Sequence, residues 1–250
     1  MISVRIKDIK GFKEALTAIN NIVDEGIFKF DLEQVSLRAM DSSQISMVYF
    51  VAQKKDFSAY EVSQPTNIGV KISDLVSIFS RAVTEKAEEV VLEKAENKLV
   101  IILYFADKKS KFELPILDIS QTVTGDPKVT DNAKVRLLSS AIKNALKNAE
   151  LVSTYISFIA TKENFIIESK GDTSTFSVEF SKKSSELSEL SVKEDKIRAT
   201  YPLQYLVDIM NGSNDNSNTT LIYNTFGVLK LSYEIPLGSI TFFLAPIRED

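Results

Sequence analysis

Residues 8–52, DIKGFKEALTAINNIVDEGIFKFDLEQVSLRAMDSSQISMVYFVA, read as one helix followed by three strands. Ile9, Phe12, Leu16, Ile19 and Ile22 recur at helical spacing, and Asp8 stands where an N-cap is needed. The pattern then changes period. GIFKF (26–30), QVSLRAM (34–40) and ISMVYFVA (45–52) are short, rich in β-branched and aromatic residues, and separated by polar turns such as Asp31-Leu32-Glu33.

The same unit recurs along the chain, and a repeat of this kind sets the architecture. A second helix is expected near Ser73 to Val83, with Leu75, Val76, Phe79 and Val83 on one face. A third spans about Ser139 to Glu150 and buries Ala141, Ile142, Ala145, Leu146 and Ala149. A fourth starts at Thr200-Tyr201-Pro202, with proline in the first turn, and buries Leu203, Leu206, Ile209 and Met210. Strand-like runs follow each: EEVVLEK, KLVIILYF and KFELPIL after the second, YISFIA (155–160), FIIESK (165–170) and TFSVEF (175–180) after the third, and TTLIYN, VLKLSYEI and SITFFLAPI after the fourth.

Four helix-plus-strands units make two similar halves of an α+β protein. Each half has two helices packed on antiparallel sheets. Apolar periodicity stops in SQTVTGDPKVTDNA (120–133), so domains are expected at 1–118 and 133–250, joined by a loop over 119–132. GSNDNSN (212–218) reads as an exposed loop. With helices covering one sheet face, their outward sides form a polar surface, which is the place to look for function.

Composition narrows the chemistry. The chain has 250 residues with no Cys and no His. Disulfides, thiolate zinc sites and imidazole catalysis are thereby removed, and no metal or other cofactor is expected. The net charge of −4 repels nucleic acid on average, so any DNA contact must come from a local basic face. MISVRIKDIK opens with a strand pattern and lacks a secretion signal, and no apolar run approaches a membrane span. The expected location is cytoplasmic.

The run Arg38-Ala39-Met40-Asp41-Ser42-Ser43-Gln44-Ile45-Ser46-Met47-Val48 resembles the strand–loop–strand of DNA sliding clamps of the proliferating cell nuclear antigen family. Phe243-Leu244-Ala245-Pro246-Ile247 resembles the closing tail of those clamps, and Leu114 to Asp118 the strand that enters their connecting loop. The resemblance implies the DNA clamp fold, three subunits to a ring around duplex DNA, and no catalysis. It also implies an archaeal source and a nucleoid-associated protein, or a nuclear one in a eukaryote. Clamp loader, DNA polymerase, flap endonuclease and DNA ligase would dock through short peptide motifs.

On that resemblance the bases facing DNA are Lys10, Lys13, Arg81, Lys143 and Lys147, and the fourth helix supplies none. The partner-peptide pocket takes Met40, Gln44, Ile45 and Met47, then Ile119 and Val123 from the connecting loop. Val228, Phe243, Ala245, Pro246 and Ile247 complete it. The subunit interface takes Lys109, Lys111, Phe112 and Leu114 on one edge strand, and Thr175, Phe176, Val178 and Phe180 on another. The crowding of lysines near these edges leaves homotrimeric and heterotrimeric rings both open. Two other readings compete: a β-rich protein-binding scaffold that does not encircle DNA, and a carboxylate-based hydrolase built on scattered acids such as Asp118, Asp126 and Asp131.

Overall fold

The structure, a computed structural model, describes residues 1–120, 123 and 125–247. Parts of the expected connecting loop (121, 122 and 124) and the last three residues lie outside the described residues. The chain divides into two compact units. The first comprises 1–42, 48–124 and 235–240, and the second 43–47, 125–234 and 241–250.

The first half of the chain runs β1 (Ile2–Ile6), α1 (Ile9–Asn20), β2 (Glu25–Phe30), β3 (Gln34–Met40), β4 (Ser46–Gln53), β5 (Ala59–Val62) and β6 (Thr66–Lys71). It continues with α2 (Ile72–Thr84), β7 (Glu89–Ala95), β8 (Lys98–Tyr104) and β9 (Lys109–Pro115). The second half repeats that order: β10 (Ala133–Leu138), α3 (Ser139–Ala149), β11 (Tyr155–Thr161), β12 (Asn164–Lys170), β13 (Thr175–Ser181), β14 (Leu187–Val192) and β15 (Lys196–Pro202). It ends with α4 (Leu203–Met210), β16 (Asn218–Tyr223), β17 (Leu229–Glu234) and β18 (Ser239–Leu244). Strand order repeats as well. β5-β1-β7-β8-β9 corresponds to β14-β10-β16-β17-β18, and β4-β3-β2-β6 corresponds to β13-β12-β11-β15.

Alternation decides which side chains enter each core. β3 buries Val35, Leu37 and Ala39 and turns the residues between them outward. In the first unit α1 and α2 pack together, and Phe12 meets Phe79 at 4.9 Å and Phe50 edge-on at 6.4 Å. In the second, Phe158 is the hub, with Tyr201 at 5.7 Å, Phe165 at 5.8 Å and Tyr223 at 6.2 Å.

Helix starts are fixed in two ways. Asp8 caps α1 as expected, its carboxylate accepting from the Gly11 N–H at 2.9 Å, an interaction worth about 1 kcal/mol. The other three helices have no side-chain cap, and backbone carbonyls from elsewhere accept from their first N–H groups. Ile72 donates to Asp24 O, Ser139 to Ser217 O, Ser140 to Asp215 O and Leu203 to Thr154 O.

Two expectations need correction. The fourth helix starts at Leu203, because Thr200, Tyr201 and Pro202 are the end of β15, in register with Ser157, Ile156 and Tyr155 of β11. Pro202 has an extended ψ of 123°, so the ring closes a strand instead of opening a helix. The inward face of α2 is Ile72, Leu75, Ile78, Phe79 and Ala82; Val76 is half-buried and Val83 exposed.

Candidate functional site

Each unit presents one exposed helix face. On α1, Lys10 is exposed and pairs loosely with Glu14 at 3.9 Å, while Lys13, half-buried, has no carboxylate within 4.0 Å among the described residues. On α2, Arg81 Nε lies 2.8 Å from Glu85, which also takes Lys108 at 3.6 Å. On α3 the two lysines behave differently. Lys143 Nζ donates to Asp215 Oδ1 at 2.7 Å and to the Ser213 carbonyl at 2.6 Å, and its side chain is only 20% exposed. Lys147 stays exposed, and a cavity of about 200 Å³ between α3 and α4 is lined by both lysines with Leu146, Val207, Met210, Asn211 and Asp215. Lys143, aided by Lys147, holds the Asp215 carboxyl below the usual range.

Asp215 is therefore a functional neighbour that sequence reasoning missed. Its stretch, GSNDNSN, is legible only as a loop. The loop folds back over the start of α3 through the Ser217 and Asp215 carbonyls, with Ser139 Oγ and Thr219 Oγ1 2.8 Å apart beneath it.

Two sheet edges carry the expected interface residues. β9 ends the β5-β1-β7-β8-β9 sheet, with Lys109, Lys111 and Glu113 exposed and Phe112 and Leu114 half-buried between them. β13 ends the β13-β12-β11-β15 sheet, with Thr175 exposed, Phe176 and Val178 half-buried, and Phe180 buried. Phe180 stacks on Phe165 with ring centroids 6.4 Å apart, so it is a core residue beneath the edge.

On β9, Glu113 accepts from Lys98 at 2.6 Å and pairs with Lys111 at 2.6 Å. Lys111 first, then Lys98, hold its carboxyl at about 2 instead of the ordinary 4.5. A depressed carboxylate favours the folded state above pH 4.5, and that contribution is lost as pH falls through about 2. Lys111→Met should move the Glu113 midpoint up toward 4.5. Carboxyl-carbon NMR of the titration checks this, and an unmoved midpoint would remove Lys111 as the cause.

The expected peptide-pocket residues divide between the units. In the first, Met40 and Ile119 line a groove of about 550 Å³ with Ile22, Gly26, Arg38 and Asp118. Leu117 N–H donates to Gly69 O at 2.9 Å, drawing the segment toward 119 onto β6. The close approach depends on glycine, since a Cβ at 69 would stand 2.3 Å from the Leu117 carbonyl. Val123 borders a smaller depression of about 270 Å³ with Tyr49 and Arg38, whose guanidinium sits 4.2 Å over the tyrosine ring.

In the second unit, Gln44 is exposed with φ +57° and Ile45 is half-buried, its carbonyl accepting from Ala245 N–H at 2.9 Å. Ala245, Pro246, Ile247 and Val228 are half-buried, and Ile247 N–H donates to Thr200 O at 2.8 Å. Met47 and Phe243 are only 1% and 3% exposed. Met47 shares a strand face with the half-buried Tyr49 and Val51, and Phe243 with Ser239 and Thr241, so both lie on the outer faces of their strands and are covered there. Sequence reasoning also missed Phe226, which is 57% exposed with φ +53°.

Among the described residues no helix is long and apolar enough to cross a membrane, and no group of three or more acids could hold a metal ion.

Comparisons with known proteins point one way. The family model for the proliferating cell nuclear antigen N-terminal domain matches residues 1–122. A DNA polymerase sliding clamp of Thermococcus gammatolerans is 31% identical over 242 residues, 96% of each chain, and that of Pyrococcus furiosus is 28% identical over the same span. Both relatives are archaeal, as the sequence leads one to expect of the source. A crystal structure of PCNA from Thermococcus kodakaraensis superposes with a TM-score of 0.92 at 25% identity, covering 99% of this chain and all of that one. A structure of A. fulgidus PCNA with the C-terminal region of FEN-1 bound has the same fold, with a TM-score of 0.88 at 23% identity and full coverage of both chains. On a 31% identity that spans 96% of both sequences, carried by the same twofold-repeated architecture, this chain belongs to the DNA polymerase sliding clamps of the proliferating cell nuclear antigen family.

Proposed function

We propose that this chain is one subunit of a ring that encircles duplex DNA and tethers replication and repair enzymes as a processivity factor. The observation that carries this is its likeness to DNA polymerase sliding clamps along 96% of its length. Such clamps are processivity factors, and the chain is proposed to act by tethering and not by catalysis. Residues 1–118 and 133–250 form the two clamp domains, linked by 119–132.

Three subunits close the ring through pairing of β9 with β13 of the next copy. Both are open edges with apolar residues alternating with polar ones. Lys109 and Lys111 on one edge complement Glu179 on the other. The helices line the hole. A clamp needs diffuse phosphate attraction and no base contacts, since topology retains it and tight binding would hinder sliding. The few bases on α1 to α3 suit that task.

Partner enzymes dock by short peptides on half-buried residues, Met40, Ile119 and Val123 in the first unit, and Ile45, Val228 and Ala245 to Ile247 beside the exposed Gln44 in the second. The FEN-1 segment bound to the A. fulgidus protein supports this mode, and polymerase, ligase and clamp loader are proposed to use it too. The protein would act at the nucleoid of an archaeal cytoplasm.

Loading onto nicked circular DNA and onto linear DNA of the same length separates this reading from a scaffold that does not encircle. The ring should persist on the circle and run off free ends; equal retention on both would overturn encirclement. In the same assay Lys13→Gln and Lys147→Gln should each weaken retention and lower the salt slope by about one. Lys143→Gln should do less, because its Nζ is already held by Asp215 and the Ser213 carbonyl. An effect of Lys143→Gln as large as that of Lys147→Gln would show that Asp215 yields the base to phosphate.

A further inference from the structure

We infer that Asp215 is a positioning residue that limits the DNA contact by withholding Lys143 from phosphate. Of the two bases on α3, only Lys147 is then offered to the duplex. This role presupposes the proposed DNA-facing helices and names what holds their attraction down.

A surface lysine ordinarily lays its stem on the protein and keeps its ammonium in water. Lys147 does so: it is exposed and makes no ion pair among the described residues. Lys143, one turn earlier, does the opposite. Its side chain is 20% exposed, and its Nζ donates to the Ser213 carbonyl at 2.6 Å and to Asp215 Oδ1 at 2.7 Å. Two of the three ammonium donors are thus engaged at short, charge-assisted distances. Ser213 follows the end of α4, where helix carbonyls favour a cation. The base is fixed against the loop from two sides.

The loop is built to keep the carboxylate there. Asp215 is the single charged residue of GSNDNSN (212–218), so no loop lysine or arginine competes for it. Its own carbonyl accepts from Ser140 N–H at 3.2 Å, and the Ser217 carbonyl accepts from Ser139 N–H at 2.8 Å. Both bonds tie the loop to the first turn of α3, directly beside Lys143. Inside the loop, Asn214 Oδ1 accepts from Asn216 N–H at 2.9 Å, and the Asn214 carbonyl from Ser217 Oγ at 2.8 Å. The Asp215 side chain is itself 67% exposed, so the pair adds little to stability. Its consequence falls on the charge that the face presents. A phosphate entering the cavity between α3 and α4 meets Lys143, Lys147 and Asp215 together. It can pair with Lys147, but repulsion from the carboxylate keeps it from Lys143 unless Asp215 is displaced.

The test uses the full-length protein in the circular-DNA retention assay, with sister subunits added if the ring needs them and lifetimes followed as salt is raised. Asp215→Asn keeps the backbone bonds of the loop and removes the charge. It should steepen the salt slope by about one and lengthen retention about threefold at low salt. Adding Lys143→Gln to that variant should remove the gain. Lys143→Gln alone, which leaves the loop residues intact, should lower the slope by less than Lys147→Gln does. Glu14→Gln is the control for charge alone, since it takes one acid from the exposed face of α1, where Lys10 stands 3.9 Å away and is already exposed. It should leave the slope unchanged. If Lys147→Gln lowers the slope and Asp215→Asn does not steepen it, the DNA-facing reading stands and the role of Asp215 is overturned. A gain that survives Lys143→Gln, or that Glu14→Gln reproduces, would make the effect one of net charge and overturn it as well. If Lys147→Gln leaves the slope unmoved, the DNA-facing reading fails and this inference fails with it.

Discussion

Phe112→Asp should reduce the sedimenting species to the single chain of 27.9 kDa and abolish retention on circular DNA. Phe112 sits at the middle of β9, half-buried within its own subunit because no further strand covers that edge. In the proposed ring it and Leu114 lie against Phe176 and Val178 of the next copy, so an aspartate there becomes a buried charge without a partner. Losses of that kind run to about 3–5 kcal/mol, and a closed ring incurs them at each junction. The exposed neighbours Lys111 and Glu113 provide the contrast. They point to the other face and already pair with each other at 2.6 Å, so Lys111→Met should weaken the ring far less. Analytical ultracentrifugation decides the matter, with sister subunits added if the unmodified chain needs them to close. A Phe112→Asp protein that keeps the unmodified mass would remove β9 from the interface.

Gly238→Ala is expected to destabilise the fold more than any single surface change. Gly238 lies between β17 and β18 at φ +94°, outside the range an L side chain tolerates. A Cβ there would also stand 2.1 Å from the Val51 carbonyl oxygen and 3.0 Å from Ala52 Cα. Both obstacles are backbone, so no rotamer relieves them, and β4 would have to move. The combined cost is on the order of 4 kcal/mol, set against the 5–15 kcal/mol that holds a typical domain. Denaturant unfolding measures it directly. Gly125→Ala, where nothing lies within 4 Å of the new Cβ, is the matched control. Equal midpoints for the two variants would mean that the turn relaxes freely.

Much of this fold was legible because the repeat states it twice. The 3.6-residue period located all four helices, and strands such as β3 and β13 follow from alternation alone. Where alternation fails, so does the reading. AYEV of β5 and LSELSV of β14 are short, polar and only partly buried, and no periodicity marks them. On α2, apolar residues are numerous enough that Val76 and Val83 pass for the inward face, and only packing against α1 selects Ile78 and Ala82. β15 was misread at its end because proline marks a helix start and a strand terminus equally well.

The candidate sites were legible in proportion to how local they are. Edge strands can be read from their own residues. The burial of Met47 and Phe243 is not legible from alternation, since each shares its strand face with half-buried or exposed residues. The hold of Asp215 on Lys143 joins residues 72 apart in sequence, and no spacing rule predicts it. Phe226 was hidden by a backbone angle that its residue type does not announce.

The uneven capping of the helices also orders events in time. α1 carries its own start signal in Asp8, and the carbonyls that α2 and α4 need, from Asp24 and Thr154, precede them in the chain. α3 is the exception, because the Asp215 and Ser217 carbonyls that accept from its first amides follow it. Short helices without such support are marginal in water. As the chain leaves the ribosome, the first half can complete its helices while synthesis continues. The third helix must wait until the Asn-rich loop after α4 has emerged, so the second half closes last and nearly all at once.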